Sequence, residues 1–172
     1  THMKTLYLSD LDGTLLGSNQ KISAESCKIL NSLISRGLLF SYATARSAVT
    51  AKPATAGLDA KIPIIVYNGV FTLDSQTGER LLSNIFDRDE ASEIYDTLLG
   101  YGINPIVYSI IDGAEKFSYI PHRLNRGTAD FLATRKNDIR ERIVTAEDEM
   151  REGEIFYFTC IDEPEKLLPA KK

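Results

Sequence analysis

The chain has 172 residues, of which 43% are hydrophobic and 26% charged, and its formal net charge is −4. That composition suits a globular protein with one sizeable core or two smaller ones. The acidic balance argues against nucleic-acid or membrane-surface binding through bulk charge, and no apolar run approaches the roughly 20 residues of a membrane-spanning helix. The two cysteines, Cys27 and Cys160, lie far apart with no metal-ligand spacing, and read as small core residues in a reducing compartment, so the expected location is cytoplasmic. Thr1-His2 ahead of Met3 reads as a tag remnant, and no signal peptide is expected.

In chain order, Thr5-Leu6-Tyr7-Leu8 reads as a strand, and Ser9-Asp10-Leu11-Asp12-Gly13-Thr14-Leu15-Leu16 follows it. A buried parallel strand runs apolar and has no structural use for two carboxylates at its C-terminal tip. The tips of parallel strands are where open α/β sheets bind ligands. On an extended strand Asp10 and Asp12 point the same way, so one substrate can meet both. A carboxylate can attack phosphorus and carry the phosphoryl group, which suits Asp10. A neighbouring acid can protonate the leaving oxygen and then activate water, which suits Asp12. Their mutual repulsion favours a cation, and Mg²⁺ prefers carboxylates, waters and phosphate oxygens. Gly13 permits a sharp turn and Thr14 can hold it through its hydroxyl. The plainer alternative is an Asx-turn leading into a helix.

Ser23 caps a helix with Cys27, Leu30, Leu33 and Ile34 on its apolar side, and Gly37 stops it. A second strand, residues 37–43, ends in Thr44-Ala45-Arg46-Ser47. Thr44, at a strand tip before a helix, can offer its hydroxyl and nearby N–H groups to an anion. Arg46 reads equally as a phosphate clamp or as an arginine paired with a neighbouring acid. A helix over Ser47–Ala56 contains Pro53, which makes its form uncertain. A third strand, Ile62–Tyr67, ends in Asn68-Gly69, which reads as a site residue or as a plain turn. A hairpin with a polar turn then spans residues 70–82. Strand–helix–strand–helix–strand implies right-handed parallel crossovers in a doubly wound sheet, with Asp10, Thr44 and Asn68 at adjacent strand tips.

The run Asp10-Leu11-Asp12-Gly13-Thr14-Leu15-Leu16 resembles the DxDGT motif of haloacid-dehalogenase-like (HAD) phosphohydrolases, and its form is similar to the Cof-type branch. Ala43-Thr44-Ala45-Arg46 resembles the ATGR segment of that branch, with Ala in place of Gly, and the Asn68-Gly69 hairpin is also similar. The resemblance implies Asp10 as nucleophile, Asp12 as general acid/base and Thr44 as phosphoryl ligand, with Arg46 and Asn68 as further phosphate or substrate contacts. It also implies Mg²⁺ on the Asp10 carboxylate and the Asp12 carbonyl, and a Rossmann-like core.

From about Ser83 the pattern changes, giving a core over 1–83 and a second block over 84–172. Asp87 or Asp89 caps a helix ended by Gly100 and Gly102. Residues 105–110 and 115–120 flank Asp112-Gly113, a strong hairpin signal. A helix over Arg126–Arg135, a charged segment expected to be helical in part, a strand over 154–161 and a helix entered at Pro164 complete the block. It resembles the α+β cap inserted into Cof-type enzymes. His122, Arg123 and Arg126 could reach a substrate, but read more simply as a solvated loop with Asn125 as helix cap.

The family's later Lys and GDxxND-like motifs are absent, so a truncated chain is expected, with an exposed core edge prone to self-association. The reading is therefore an α/β, Mg²⁺-dependent phosphatase of small phosphorylated metabolites, sugar phosphates among them, working through an aspartyl-phosphate. The competing readings are a phosphomutase-like transferase and a non-catalytic fragment that binds phosphate or a partner.

Overall fold

A computed structural model describes residues 5–170, so Thr1-His2, read above as a tag remnant, and Lys171-Lys172 lie outside the described residues. Strand β1 (Leu6–Ser9) leads into one wide turn, Leu11–Leu15, in which Asp12 and Gly13 are not helical, and then α1 (Ala24–Ser35), β2 (Leu39–Tyr42), α2 (Ala48–Ala54) and β3 (Ile64–Val66) follow. The hairpin strands β4 (Phe71–Leu73) and β5 (Arg80–Ser83) complete this part. β1 and β2 pair in parallel from Leu6↔Leu39 to Ser9↔Tyr42. β3, β4 and β5 form an antiparallel set, joined to β2 through the parallel bridge Ala43↔Ile65. The strand order is therefore β1-β2-β3 along the parallel part of an α/β sheet.

Local chemistry explains the helices. The side-chain oxygens of Ser23 and Ser47 accept from Ser26 N–H and Thr50 N–H at the starts of α1 and α2, each satisfying an otherwise unpaired donor. Leu11, Leu16 and Ile22 pack with Cys27 of α1, Ala51 and Ala54 of α2 and Tyr42 of β2 in one buried cluster. Both crossover helices thus share one face of the sheet, as strands added in one direction with crossovers of one hand require. Pro53 lies inside α2, which ends one residue later at Ala54, two residues short of the expected end. β3 is also shorter than its apolar run, because Tyr67 turns to φ 50° and breaks the ladder.

Two compact units meet in the sequence between Asn84 and Ile85. The second contains α3 (Arg88–Gly100), β6 (Ile106–Ile111), β7 (Ala114–Tyr119), α4 (Arg126–Ala133), β8 (Glu141–Ile143), β9 (Glu154–Thr159) and α5 (Pro164–Ala170). Its four-stranded sheet has the order β8-β7-β6-β9. Asp87 caps α3 and Asn125 caps α4 through side-chain oxygens. Asp112 and Gly113 take φ 50° and 78° in the β6–β7 turn, the two left-handed positions that a tight hairpin of this kind needs. Ala91, Tyr95, Val107, Ile120, Val144, Met150 and Ile155 form its core.

The charged stretch after α4 departs from expectation. It holds strand β8, parallel to β7, and only one short helical turn at Asp148–Arg151. The cause lies far away in sequence. Phe117 N–H donates to Arg140 C=O at 2.9 Å, and the Arg140 side chain is buried with Asp138 at 2.6 Å and Glu115 at 3.9 Å. A run of alternating charge resembles a solvated helix face until β7 offers its edge.

β1 differs from a buried strand in one respect. Its composition is apolar, yet Leu6, Tyr7 and Leu8 are 55%, 53% and 51% exposed. Successive residues face opposite sides of a sheet, so both faces of β1 are open, and among the described residues only β2 pairs with it. No charge or proline within Leu6–Ser9 guards that edge. The expected outcome is concentration-dependent association in light scattering coupled to gel filtration, reduced by Tyr7→Lys. A concentration-independent monomer would remove β1 as an association surface.

Candidate active site

The sheet's parallel strands end together, and main-chain bonds hold the ends in register. Ala43 N–H donates to Ser9 C=O at 2.9 Å, tying the tip of β2 to that of β1. Thr44 N–H donates to Ile65 C=O and Asn68 N–H donates to Thr44 C=O, both at 3.0 Å, tying β2 to β3. Tyr67 N–H donates to Arg46 C=O at 3.0 Å. Asp10, Thr44 and Asn68 therefore stand at neighbouring strand ends.

Past β1 the chain leaves the strand for a turn in which Asp12 keeps an extended conformation, φ −76° and ψ 122°. Asp10 is extended, and the backbone then wraps so that Leu16 N–H donates to Leu11 C=O at 2.9 Å. Leu11 is fully buried and anchors the turn between two exposed acids. Gly13 takes φ 75°, a left-handed conformation that costs glycine no side-chain clash. The motif thus alternates between an apolar anchor and outward carboxylates.

Asp12 and Arg46 meet directly. Arg46 Nε donates to Asp12 Oδ2 at 2.8 Å and Nη2 to Oδ1 at 2.6 Å, a two-pronged contact. Nη2 also donates to Gln20 Oε1. The hydrogen bonds from Arg46, reinforced by its charge, hold the Asp12 carboxyl below its ordinary value against a smaller opposing effect of burial. The same contact raises Arg46. Of the two sequence readings of Arg46, the arrangement is that of an arginine paired with an acid, and the acid is the second one of the motif.

Thr44 is 4% exposed, and its Oγ1 accepts from Arg46 N–H at 3.1 Å. An accepted bond leaves the hydroxyl hydrogen free to be donated. Asn68 is exposed, and follows Tyr67 in a run of left-handed residues with φ 50°, 54° and 99° through Gly69. Asp10 is exposed, its own carbonyl accepting from Ser9 Oγ at 2.8 Å.

Mg²⁺ takes few protein ligands and completes its shell with water and phosphate oxygens. The Asp10 carboxylate, which makes no ion pair among the described residues, is a hard oxygen donor fit for it. The Asp12 carboxylate is instead engaged by Arg46. No cluster of three or more His, Cys, Asp or Glu side chains could hold a metal among the described residues.

In the second unit Arg123 pairs with Glu147 at 3.0 Å, and Arg126 lies within 3.9 Å of Asp130. No helix among the described residues is long and apolar enough to cross a membrane. Gln20 had no signal in the sequence. It lies outside every motif, and only the fold brings it to Arg46.

Residues 7–171 match the family model for haloacid dehalogenase-like hydrolases. Over 101 residues the chain is 38% identical to the 5-amino-6-(5-phospho-D-ribitylamino)uracil phosphatase YwtE of Bacillus subtilis, covering 58% of this chain and 34% of that protein. Over 95 residues it is 30% identical to the HMP-PP phosphatase of Serratia proteamaculans, covering 55% and 34%. The matched segments thus span about a third of these curated relatives. Among solved structures, a haloacid dehalogenase-like hydrolase from Bacteroides thetaiotaomicron aligns with TM-score 0.72 at 19% identity, over 98% of this chain and 62% of that one. One from B. subtilis aligns with TM-score 0.70 at 19% identity, over 96% and 65%. These structures share the fold. With the model spanning nearly every residue from β1 onward, the chain belongs to the haloacid dehalogenase-like hydrolase family.

Proposed function

We propose that this chain carries the nucleophile-bearing part of a Mg²⁺-dependent phosphatase of small phosphorylated metabolites. The observation that carries the reading is the gathering of Asp10, Thr44 and Asn68 at three neighbouring strand ends, locked by main-chain bonds through Thr44. Two relatives named as phosphatases, one for a phosphorylated ribitylaminouracil, support the substrate class.

In this reading the Asp10 carboxylate attacks phosphorus in line, forming an acyl phosphate as the ester oxygen departs. Asp12 hands that oxygen a proton and then takes one from the attacking water. Its contact with Arg46 favours the ionised form, which is ready for the second step, so the first requires that contact to loosen. Thr44 donates its hydroxyl hydrogen to a non-bridging oxygen, and the buried setting keeps that donor aimed. Bound Mg²⁺ would supply charge neutralisation between the Asp10 carboxylate and the phosphoryl oxygens. The cytoplasm is the compartment that suits two free cysteines.

The test is phosphate release from an aryl phosphate and a panel of sugar phosphates, with and without Mg²⁺. Asp10→Asn is expected to lower release by at least about a thousandfold, ~4 kcal/mol of barrier. Thr44→Ala is expected to lower kcat/KM by about a hundredfold, the scale of losing one fixed donor to a transition-state oxygen. Mg²⁺-dependent release that survives Asp10→Asn would overturn the reading.

The Asp12–Arg46 pair also predicts a pH dependence of stability. A carboxyl lowered by folding contributes stability that is complete above its unfolded value and is lost as pH falls through the lowered folded value. Asp12 and Arg46 side chains are 46% and 21% exposed, so solvent screening limits the pair to about 1 kcal/mol or less. In urea unfolding, Arg46→Ala should be less stable than the parent by up to about that amount at pH 7, the gap closing only below about pH 4.

A further inference from the structure

We propose that Gln20 is a positioning residue that fixes the Arg46 guanidinium and, through it, the orientation of Asp12. The inference rests on the phosphatase reading for its catalytic consequence, and on geometry alone for the brace itself.

Gln20 lies in a tight loop. Gly17 N–H donates to Lys21 C=O at 3.0 Å and Gln20 N–H donates to Gly17 C=O at 2.9 Å. Both ends of the loop are anchored in the core. Leu16 is buried on one side, and on the other buried Ile22 donates its N–H to Ala54 C=O of α2 at 2.9 Å. The loop is therefore a fixed arm, and Gln20 Oε1 at its tip receives Nη2 of Arg46.

Arg46 is held from several directions. Its N–H donates to Thr44 Oγ1 and its C=O accepts from Tyr67 N–H. Its Nε and one Nη2 hydrogen grip Asp12, and the other Nη2 hydrogen goes to Gln20. A guanidinium has five N–H donors in one plane. With the Asp12 contact alone, the side chain can swivel and keep its charge near the acid while losing the two-pronged alignment. The Gln20 oxygen removes that freedom, because the plane must satisfy acceptors on two separate loops. The Nη1 edge, with its two hydrogens, is left for an approaching anion.

The backbone points the same way. Gln20 takes φ 59°, a left-handed conformation that is uncommon outside Gly, Asn and Asp. Glycine or asparagine would adopt it more easily, but glycine has no acceptor and asparagine is one carbon shorter. Local strain that persists beside a reactive group is a mark of a side chain retained for its role.

The experiment uses the whole chain with Gln20→Gly, Gln20→Asn and Gln20→Glu. Hydrogen exchange of the Arg46 Nε–H, followed by NMR, reads the brace without turnover, and thermal unfolding reads the fold. Gln20→Gly and Gln20→Asn should speed that exchange on the order of tenfold with no fall in the unfolding midpoint. Gln20→Glu, which keeps the length and an acceptor oxygen, should retain slow exchange. Unchanged exchange in Gln20→Gly overturns the brace. Faster exchange with a matching fall in midpoint also overturns it, since the residue would then serve only the fold. If the parent releases phosphate, Gln20→Gly should lower kcat by about fivefold with KM unchanged, and an unchanged kcat overturns the positioning role. If the parent releases none, the brace is judged on exchange alone.

Discussion

The first unit depends on what happens at one residue, Thr44. Its N–H reaches Ile65, its C=O receives Asn68, and its hydroxyl receives the N–H of Arg46. The first two bonds lie on the seam between the parallel pair β1–β2 and the antiparallel set β3–β4–β5, beside the Ala43–Ile65 bridge, the Tyr67 N–H to Arg46 C=O bond and the Ser41 hydroxyl on Pro63 C=O. The third fixes where the Arg46 side chain begins. A residue with these partners cannot move without moving the ends of two strands. The hydroxyl hydrogen is thus carried on a backbone held at both its N–H and its C=O, which suits the preorganised donor of the proposed reading.

The electrostatics then follow from position. Asp12 and Arg46 are separated by 34 residues in sequence, and each would be an isolated surface charge on its own strand end. Brought together they form a two-pronged pair whose acid stays ionised. The pair is half-open to solvent and adds little to stability. Its effect is on orientation. In the proposed reading one guanidinium holds the acid through Nε and Nη2 and keeps its Nη1 edge for an anion.

Much of this was legible in the sequence, and the reasons are local. Caps at Ser23, Ser47, Asp87 and Asn125 are read from residue type and spacing, and the Asp112-Gly113 turn from its need for two left-handed residues. The strand ends were legible because apolar runs stop at polar pairs. What was not legible depends on partners distant in sequence. β8 forms because β7 offers an edge and Arg140 finds acids in the interior. The exposure of β1 depends on what lies beside it, which composition does not report. The turn at Leu11–Leu15, closed by Leu16 N–H on Leu11 C=O, carries no strand or regular-helix periodicity that spacing could report. Gln20 enters the site through a loop whose sequence carries no motif at all.

The alternation inside that turn has a wider consequence. Leu11 carries the packing, while Asp10, Asp12, Gly13 and Thr14 on either side are exposed. In the proposed reading, reactivity and foldability fall to different side chains of one short segment. Substitutions at the outward positions change what the molecule can do to a ligand and leave its interior intact, whereas a change at Leu11 does the reverse. A scaffold divided in this way can acquire new chemistry by small steps, because the intermediates still fold.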